Sequence, residues 1–182
     1  MGSDLHGLRA SLQNDLEAFV RFFDRGGVDH EHGGCCCGLS ATGERLTGLK
    51  FVWFNGRSIW VYSRLHNLGV LSGRDAPNSA GDPGATMQSY LIDVAQRARD
   101  FALSHGRDAS GNFIVEMDER GTAIKPAEPN YIPSSGYGSA FVAEGLIELF
   151  RATANTSDVD LAIELLRKFV RLSKCCTMLK LV

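Results

Sequence analysis

Leu49-Lys-Phe-Val-Trp-Phe-Asn-Gly-Arg57, continued by Ser58-Ile-Trp60-Val-Tyr62, is the stretch on which the fold turns. A helix drawn through residues 49–68 is apolar almost all round, with Leu49, Phe51, Val52, Trp53, Phe54, Ile59, Trp60, Val61 and Tyr62 distributed over its faces. A helix of that kind must be covered by protein on most sides. The stretch therefore predicts an inner helix, and around it an all-α arrangement that supplies the cover. Arg57 within it needs a carboxylate partner or a polar cavity, because an unpaired buried guanidinium is costly.

The flanking sequence supplies the other helices. Upstream, Leu5, Leu8, Leu12, Leu16, Phe19, Val20 and Phe23 fall in steps of one, three and four, one stripe of an amphipathic helix that Gly26-Gly27 ends. Downstream, a Gly/Pro/Asp/Asn/Ser connector over 72–84 leads to a third helix with Met87, Tyr90, Leu91, Val94, Ala95, Ala98, Phe101 and Ala102 on one face, ending near Gly106. A fourth is expected over about 134–154 and a fifth over 158–174, the latter carrying Leu161, Ala162, Leu165, Leu166, Phe169 and Val170. Between helices one and two, residues 28–48 read as a short β-hairpin loop, and 111–124 read the same way before helix four. Aligning Gly34 with Gly111 brings Gly43 within a residue of Gly121, so the chain repeats a helix, hairpin, helix unit. Such units bury their apolar faces only by stacking, as solenoids or closed α/α toroids. Five helices are an odd and unclosed set, and residues 175–182, Cys-Cys-Thr-Met-Leu-Lys-Leu-Val, lack a polar cap. The expectation is one partial barrel domain over 1–174 and an apolar tail over 175–182 that marks a truncation.

Composition narrows the function. The chain has 182 residues, 19 basic and 21 acidic side chains, a net charge of −2 and 44% apolar residues, the profile of an ordinary globular domain. Near-neutral charge argues against a nucleic-acid partner held by bulk electrostatics. No apolar run reaches the length of a membrane span, and residues 1–19 do not read as a signal peptide, so a cytoplasmic address without a membrane partner is expected. Three of the five cysteines, Cys35, Cys36 and Cys37, are contiguous, a poor start for a disulfide framework, and are read as reduced thiols.

Two segments together carry a resemblance: Asp29-His-Glu-His32-Gly33-Gly34, and the Lys-x-x-Trp-x-x-Gly-Arg-x-x-Trp pattern of Lys50, Trp53, Gly56, Arg57 and Trp60. A third, Tyr137-Gly-Ser-Ala-Phe-Val-Ala-Glu144-Gly145-Leu146 through Arg151-Ala-Thr153, follows in the same order. The set resembles the N-acylglucosamine 2-epimerase family, which includes cellobiose 2-epimerases and aldose-ketose isomerases. The resemblance implies the N-terminal half of a six-hairpin α/α barrel, since family members are about twice as long. It also implies an isomerase chemistry, proton removal and return at the carbon beside a sugar carbonyl by two histidines. No segment here matches the motifs of those histidines, so the isolated chain is expected to be inactive.

The candidate residues follow. By resemblance Arg57 faces the barrel centre and supports the substrate oxygen while enediolate charge builds, as a fixed electrostatic donor does; alternatively it ties two helices through a buried carboxylate. Trp53, four residues earlier on the same face, is a candidate sugar platform, although core packing explains Trp53 and Trp60 nearly as well. His32, on the loop that the resemblance places over the barrel mouth, Asn55 and Glu144 are the other candidate substrate contacts, whereas His66 and His105 near helix ends read as solvated. His30, His32, Cys35 and Cys37 have the chemistry of zinc ligands but not the separated pairs of a zinc module, and the only other cluster, Cys175-Cys176, is remote. No metal is expected, nor any cofactor, and no Gly-rich phosphate loop is present. A hydrolase on the same toroid would need two facing carboxylates, and Asp24, Glu31 and Glu144 are not obviously so placed. The partner expected is a small-molecule sugar; the alternative is a non-catalytic truncated or spliced product that self-associates or binds a partner through the open barrel edge.

Overall fold

The computed structural model describes residues 2–77, 84–124 and 136–178, with side chains at 4–77, 84–124 and 137–171. Among them are five helices: α1 (Gly2–Gly26), α2 (Val52–Leu68), α3 (Met87–His105), α4 (Gly136–Thr153) and α5 (Thr156–Met178). Two short strands, β1 (Lys50–Phe51) and β2 (Glu116–Met117), immediately precede α2 and lie in the loop before α4. Tail residues 179–182 and positions 134–135, where the sequence predicts α4 to begin, lie outside the described residues, as do 78–83 of the Gly/Pro connector.

Helix ends follow local chemistry. Thr86 caps α3 through a reciprocal box with Ser89, each side chain bonding the other's backbone N–H at 3.0–3.2 Å. Gly69, in the left-handed region at φ 60°, closes α2 by donating to the His66 carbonyl. The α2 start differs: Phe51 is extended at its N-cap and offers no side-chain cap, so the first turn depends on tertiary partners.

α2 is the central helix as its pattern predicts, packing against both α3 and α4, with α5 on the far side of α4. Two apolar clusters result, one centred on Ile59, Tyr62, Leu91, Val94 and Ala95, the other on Val52, Phe101, Phe113, Val142, Leu146 and Ala162. The α2–α4 crossing is close because it is made of glycines. A Cβ on Gly56 would lie 2.7 Å from the Val142 nitrogen, and one on Gly145 would lie 2.7 Å from the Gly56 oxygen. Glu148 locks the same pair, its side chain accepting from Asn67 Nδ2 at 2.9 Å and pairing with Arg64 at 3.4 Å and Arg151 at 3.0 Å. Burial opposes its charge, but Asn67, Arg151 and Arg64 outweigh that and hold its carboxyl below the ordinary range.

The two loops repeat in detail, each closing on itself through antiparallel bridges flanked by backbone hydrogen bonds. Each contains isolated bridges, Val28 to Cys35 and Leu39 to Arg45 in the first, Arg107 to Phe113 and Met117 to Ala123 in the second. The ladder proper runs between them, β1 antiparallel to β2 with Lys50 opposite Met117 and Phe51 opposite Glu116. Local turn chemistry closes the bends. Ser40, Asp108 and Asp118 each accept the N–H groups two and four residues on, and Gly43, Gly111 and Gly121 follow at φ 87°, 74° and 91°. These turns keep each in-loop hairpin to a single bridge flanked by backbone bonds, while β1 and β2 pair across the two loops.

α1 joins the rest mainly through its second half, where Val20 and Leu16 enter the first cluster and Phe23 meets Phe54 with ring centroids 6.3 Å apart. Its first half presents Leu5, Leu8 and Leu12 to solvent at 68%, 57% and 54% exposure.

Candidate functional site

The first turn of α2 is built from outside the helix. The Val52 N–H donates to the Val115 carbonyl at 3.1 Å. Asn55, fully buried, accepts the Cys35 N–H on Oδ1 at 2.8 Å and donates through Nδ2 to the Cys35 and Phe51 carbonyls at 3.2 and 3.0 Å. Both amide donors are thereby committed to backbone. Asn55 is therefore placed as a stitch between the first loop and α2.

Trp53 and Arg57 lie together on the neighbouring face. With Phe19, Phe23, Phe54, Ser58, Val61 and Tyr62 they line a cavity of about 400 Å³ between α1 and α2. Arg57 is exposed rather than enclosed. No carboxylate pairs with it among the described residues, so the helix-tying alternative is not what the geometry shows. Its guanidinium instead sits 5.2 Å from the centroid of Phe141 on α4, a cation–π contact. Glu144, one turn beyond Phe141, is exposed, and Trp60 is 36% exposed on the outer side of α2. The result is an aromatic platform beside an unneutralised cation, suited to a ligand with an apolar face and an electron-rich oxygen.

His32 is elsewhere. It lines a second, shallower cleft with Glu31, Gly33, Arg97, Asp100, Phe101, Ser104 and His105, with Nδ1 3.7 Å from Asp29 Oδ2 and Nε2 3.6 Å from Glu31. His105 is exposed and rests on Phe101 at 4.9 Å, whereas His66 is half-buried and engages the Gln88 carbonyl through Nδ1 at 3.0 Å.

The cysteine triplet packs. Cys35 and Cys36 are buried, all three are free thiols, and burial pushes Cys35 up to about 12, with Cys36 and Cys37 raised for the same leading reason. Among the described residues no three His, Cys, Asp or Glu side chains are grouped to hold a metal. The side chains of Cys175 and Cys176 lie outside the described residues.

Two polar clusters escaped the sequence reading. Asp29 and Lys50, 2% and 0% exposed, form an ion pair of 2.8 Å beneath the loops. Asp24 accepts from Tyr90 at 2.6 Å and meets His30 Nε2 at 3.0 Å, and burial, with Tyr62 and Asp24 nearby, drives the Tyr90 hydroxyl well above its usual range. The available signals were an Asp opening a Gly-terminated turn and a lysine inside an apolar run.

No protein-family model matches the chain. Among curated proteins it is 24% identical over 174 residues to the human N-acylglucosamine 2-epimerase and 23% identical over 164 residues to that of Rattus norvegicus. Those matches cover 91% and 86% of this chain but only 35% and 33% of the relatives, so the chain spans about a third of their length. Among solved structures, the cellobiose 2-epimerase of Bacillus thermoamylovorans superposes with a TM-score of 0.65 at 18% identity, over 89% of this chain and 36% of that one. A sugar epimerase from a ruminal bacterium gives 0.59 at 24% identity, over 81% and 32%. The helices therefore belong to the α/α toroid class found in sugar epimerases. In sequence the chain is similar to the N-acylglucosamine 2-epimerases, the family that the Asp29–Gly34 and Leu49–Arg57 motifs resemble.

Proposed function

We propose that this chain builds the arginine-bearing part of a sugar 2-epimerase site of the N-acylglucosamine 2-epimerase type. The observation that carries the reading is Arg57, exposed, without a carboxylate among the described residues, and beside Trp53 on the wall of an aromatic cavity. Proton abstraction beside a carbonyl moves negative charge onto the carbonyl oxygen. A guanidinium held in place before the reaction stabilises that charge without reorganising. Trp53 offers its ring to the apolar face of a pyranose, and Glu144 on α4 is the nearby exposed carboxylate that accepts from sugar hydroxyls. The proton itself needs a general base on one side of the carbon and an acid on the other, a role the family gives to two histidines with no counterpart in this sequence.

The test is binding first, turnover second. Titrating the protein with N-acetylglucosamine and cellobiose while following the Trp53 indole resonance is expected to give saturable shifts, weakened roughly tenfold or more in Arg57→Ala. The sugar reading fails if wild-type protein and the variant respond alike. Deuterium incorporation at the carbon beside the carbonyl is expected to be negligible for this chain alone, because base, oxyanion donor and water exclusion must converge on one substrate. Incorporation that disappears in Arg57→Ala would overturn that expectation.

A second reading rests on a different observation, the exposed stripe of Leu5, Leu8, Leu12 and Phe19 on α1. A non-catalytic product that associates through that edge accounts for the stripe equally well. Sedimentation separates the readings: self-association abolished by Leu8→Glu, with no sugar response at Trp53, favours the second.

A further inference from the structure

Lys50 is a buried charge held from several sides. Its side chain is fully buried, and the ammonium donates to the Gly33 carbonyl at 2.6 Å and the Glu119 carbonyl at 2.6 Å. Its third neighbour is Asp29 Oδ2 at 2.8 Å, and the Phe101 ring centroid lies 4.1 Å away. Two N–H groups thus meet carbonyl oxygens, the Asp29 carboxylate balances the charge as an ion pair, and a further side faces an aromatic ring. The three oxygens come from two loops, Asp29 and Gly33 in the first and Glu119, 69 residues on from Lys50, in the second, and the lysine itself lies in β1, three residues before Trp53. Asp29 extends the grip, its Oδ1 accepting the N–H groups of Glu31 and His32 at 3.1 and 3.0 Å, with Arg45 3.5 Å from Oδ2.

α2 needs such a device. Its N-terminus has no side-chain cap, and its first turn is tied to Val115 and, through Asn55, to the first loop at Cys35. Those anchors lie in the two loops that Lys50 joins. If the loops part, both anchors of the first turn move, and Trp53 and Arg57 move with them.

We propose that Lys50, with Asp29, is a positioning residue of the candidate sugar site: it fuses the two inter-helix loops into one frame that sets the first turn of α2 and hence the Trp53–Arg57 face. The part concerning sugar rests on the function proposed above; the coupling of the loops does not.

The test compares wild type, Lys50→Met and the double variant Asp29→Asn/Lys50→Met. The single variant strands a buried carboxylate and can fail to fold, while the double variant removes both charges at nearly constant volume. Per-residue amide exchange is expected to quicken roughly tenfold or more in the double variant at His32 and Gly33 and, together with them, at Gly121 and Thr122, leaving α4 and α5 unchanged. The Trp53 indole resonance is expected to shift without ligand, and its response to N-acetylglucosamine or cellobiose to weaken severalfold, with Trp60 as the internal control. Loosening of one loop alone, or of neither, overturns the frame. Loosening of both with the Trp53 resonance and response unchanged reduces Lys50 to a structural residue and overturns the positioning role. If wild-type Trp53 answers neither sugar, the sugar reading fails, and Lys50 is judged on exchange and on the ligand-free Trp53 shift.

Discussion

At the scale of single residues, burial and pairing separate groups that look alike in sequence. Arg57 and Lys50 both sit in the apolar stretch around α2, yet one is exposed without a counter-ion among the described residues and the other is wholly enclosed. Asp29 follows from Lys50. Burial works against its charge, but the hydrogen bonds from Lys50 and the His32 amide, and the charges of Lys50 and Arg45, outweigh it and hold the carboxyl below the usual carboxylate range. A folded-state value below the unfolded one means the group binds its proton more readily in the unfolded chain. Its contribution is therefore present above the ordinary carboxylate value near 4 and is lost as the pH falls through the lower folded value. Acid titration of the melting temperature is expected to lose its steepest part in Asp29→Asn, whose own melting point at neutral pH drops by the equivalent of about 3–5 kcal/mol because Lys50 is left buried and unpaired. The cysteines give the opposite case. With the Cys35 thiol raised to about 12, the native protein is expected to resist alkylation at Cys35 and Cys36 at neutral pH and to react at both once denatured, which mass spectrometry of the peptides reads directly.

At the scale of elements, the decisive contact is the α2–α4 crossing. Two glycines let the helices approach until a Cβ on either would meet backbone. Gly56→Ala is expected to cost about 1–3 kcal/mol by overpacking, despite the higher helix propensity of alanine, and a denaturation midpoint shifted upward would refute the assignment. Glu148 clamps the same pair lower down, 7% exposed among Arg64, Asn67 and Arg151. Its truncation to alanine is expected to destabilise by about 2–4 kcal/mol and, unlike Gly56→Ala, to lose most of that cost below the titration of the carboxyl, where the native ion pairs are gone as well. Phe141 belongs to this scale too, since it brings α4 into contact with the Arg57 guanidinium. Phe141→Leu is expected to keep the fold and weaken the Trp53 response to sugar by a smaller factor than Arg57→Ala.

At the scale of the whole molecule, the helices superpose on about a third of the chain of solved sugar epimerases, and α1 and α5 carry Leu5, Leu8, Leu12, Ile163 and Val170 in the open. Apolar surface of that extent is expected to make the protein bind anilinonaphthalene dyes while still folded, and paired substitutions Leu8→Glu and Leu12→Glu are expected to remove most of that fluorescence without lowering the helical content. Among the described residues no helix is long and apolar enough to cross a membrane, so the stripe is not a span.

The sequence by itself determined the helices and their faces, the two glycine-punctuated loops and their repetition, and the family resemblance, because periodicity and turn chemistry are local and each is written in a few consecutive residues. It also marked Trp53 and Arg57 as neighbours, since four residues on a helix share a face. Only the tertiary structure decided that Asn55 faces the first loop, that His32 opens into a cleft apart from Arg57, that β1 pairs with β2 across the repeat, and that Asp29 reaches Lys50. Those facts depend on which way loops close over helix ends. That is fixed by pairing between residues twenty to seventy positions apart, where no local period carries the information.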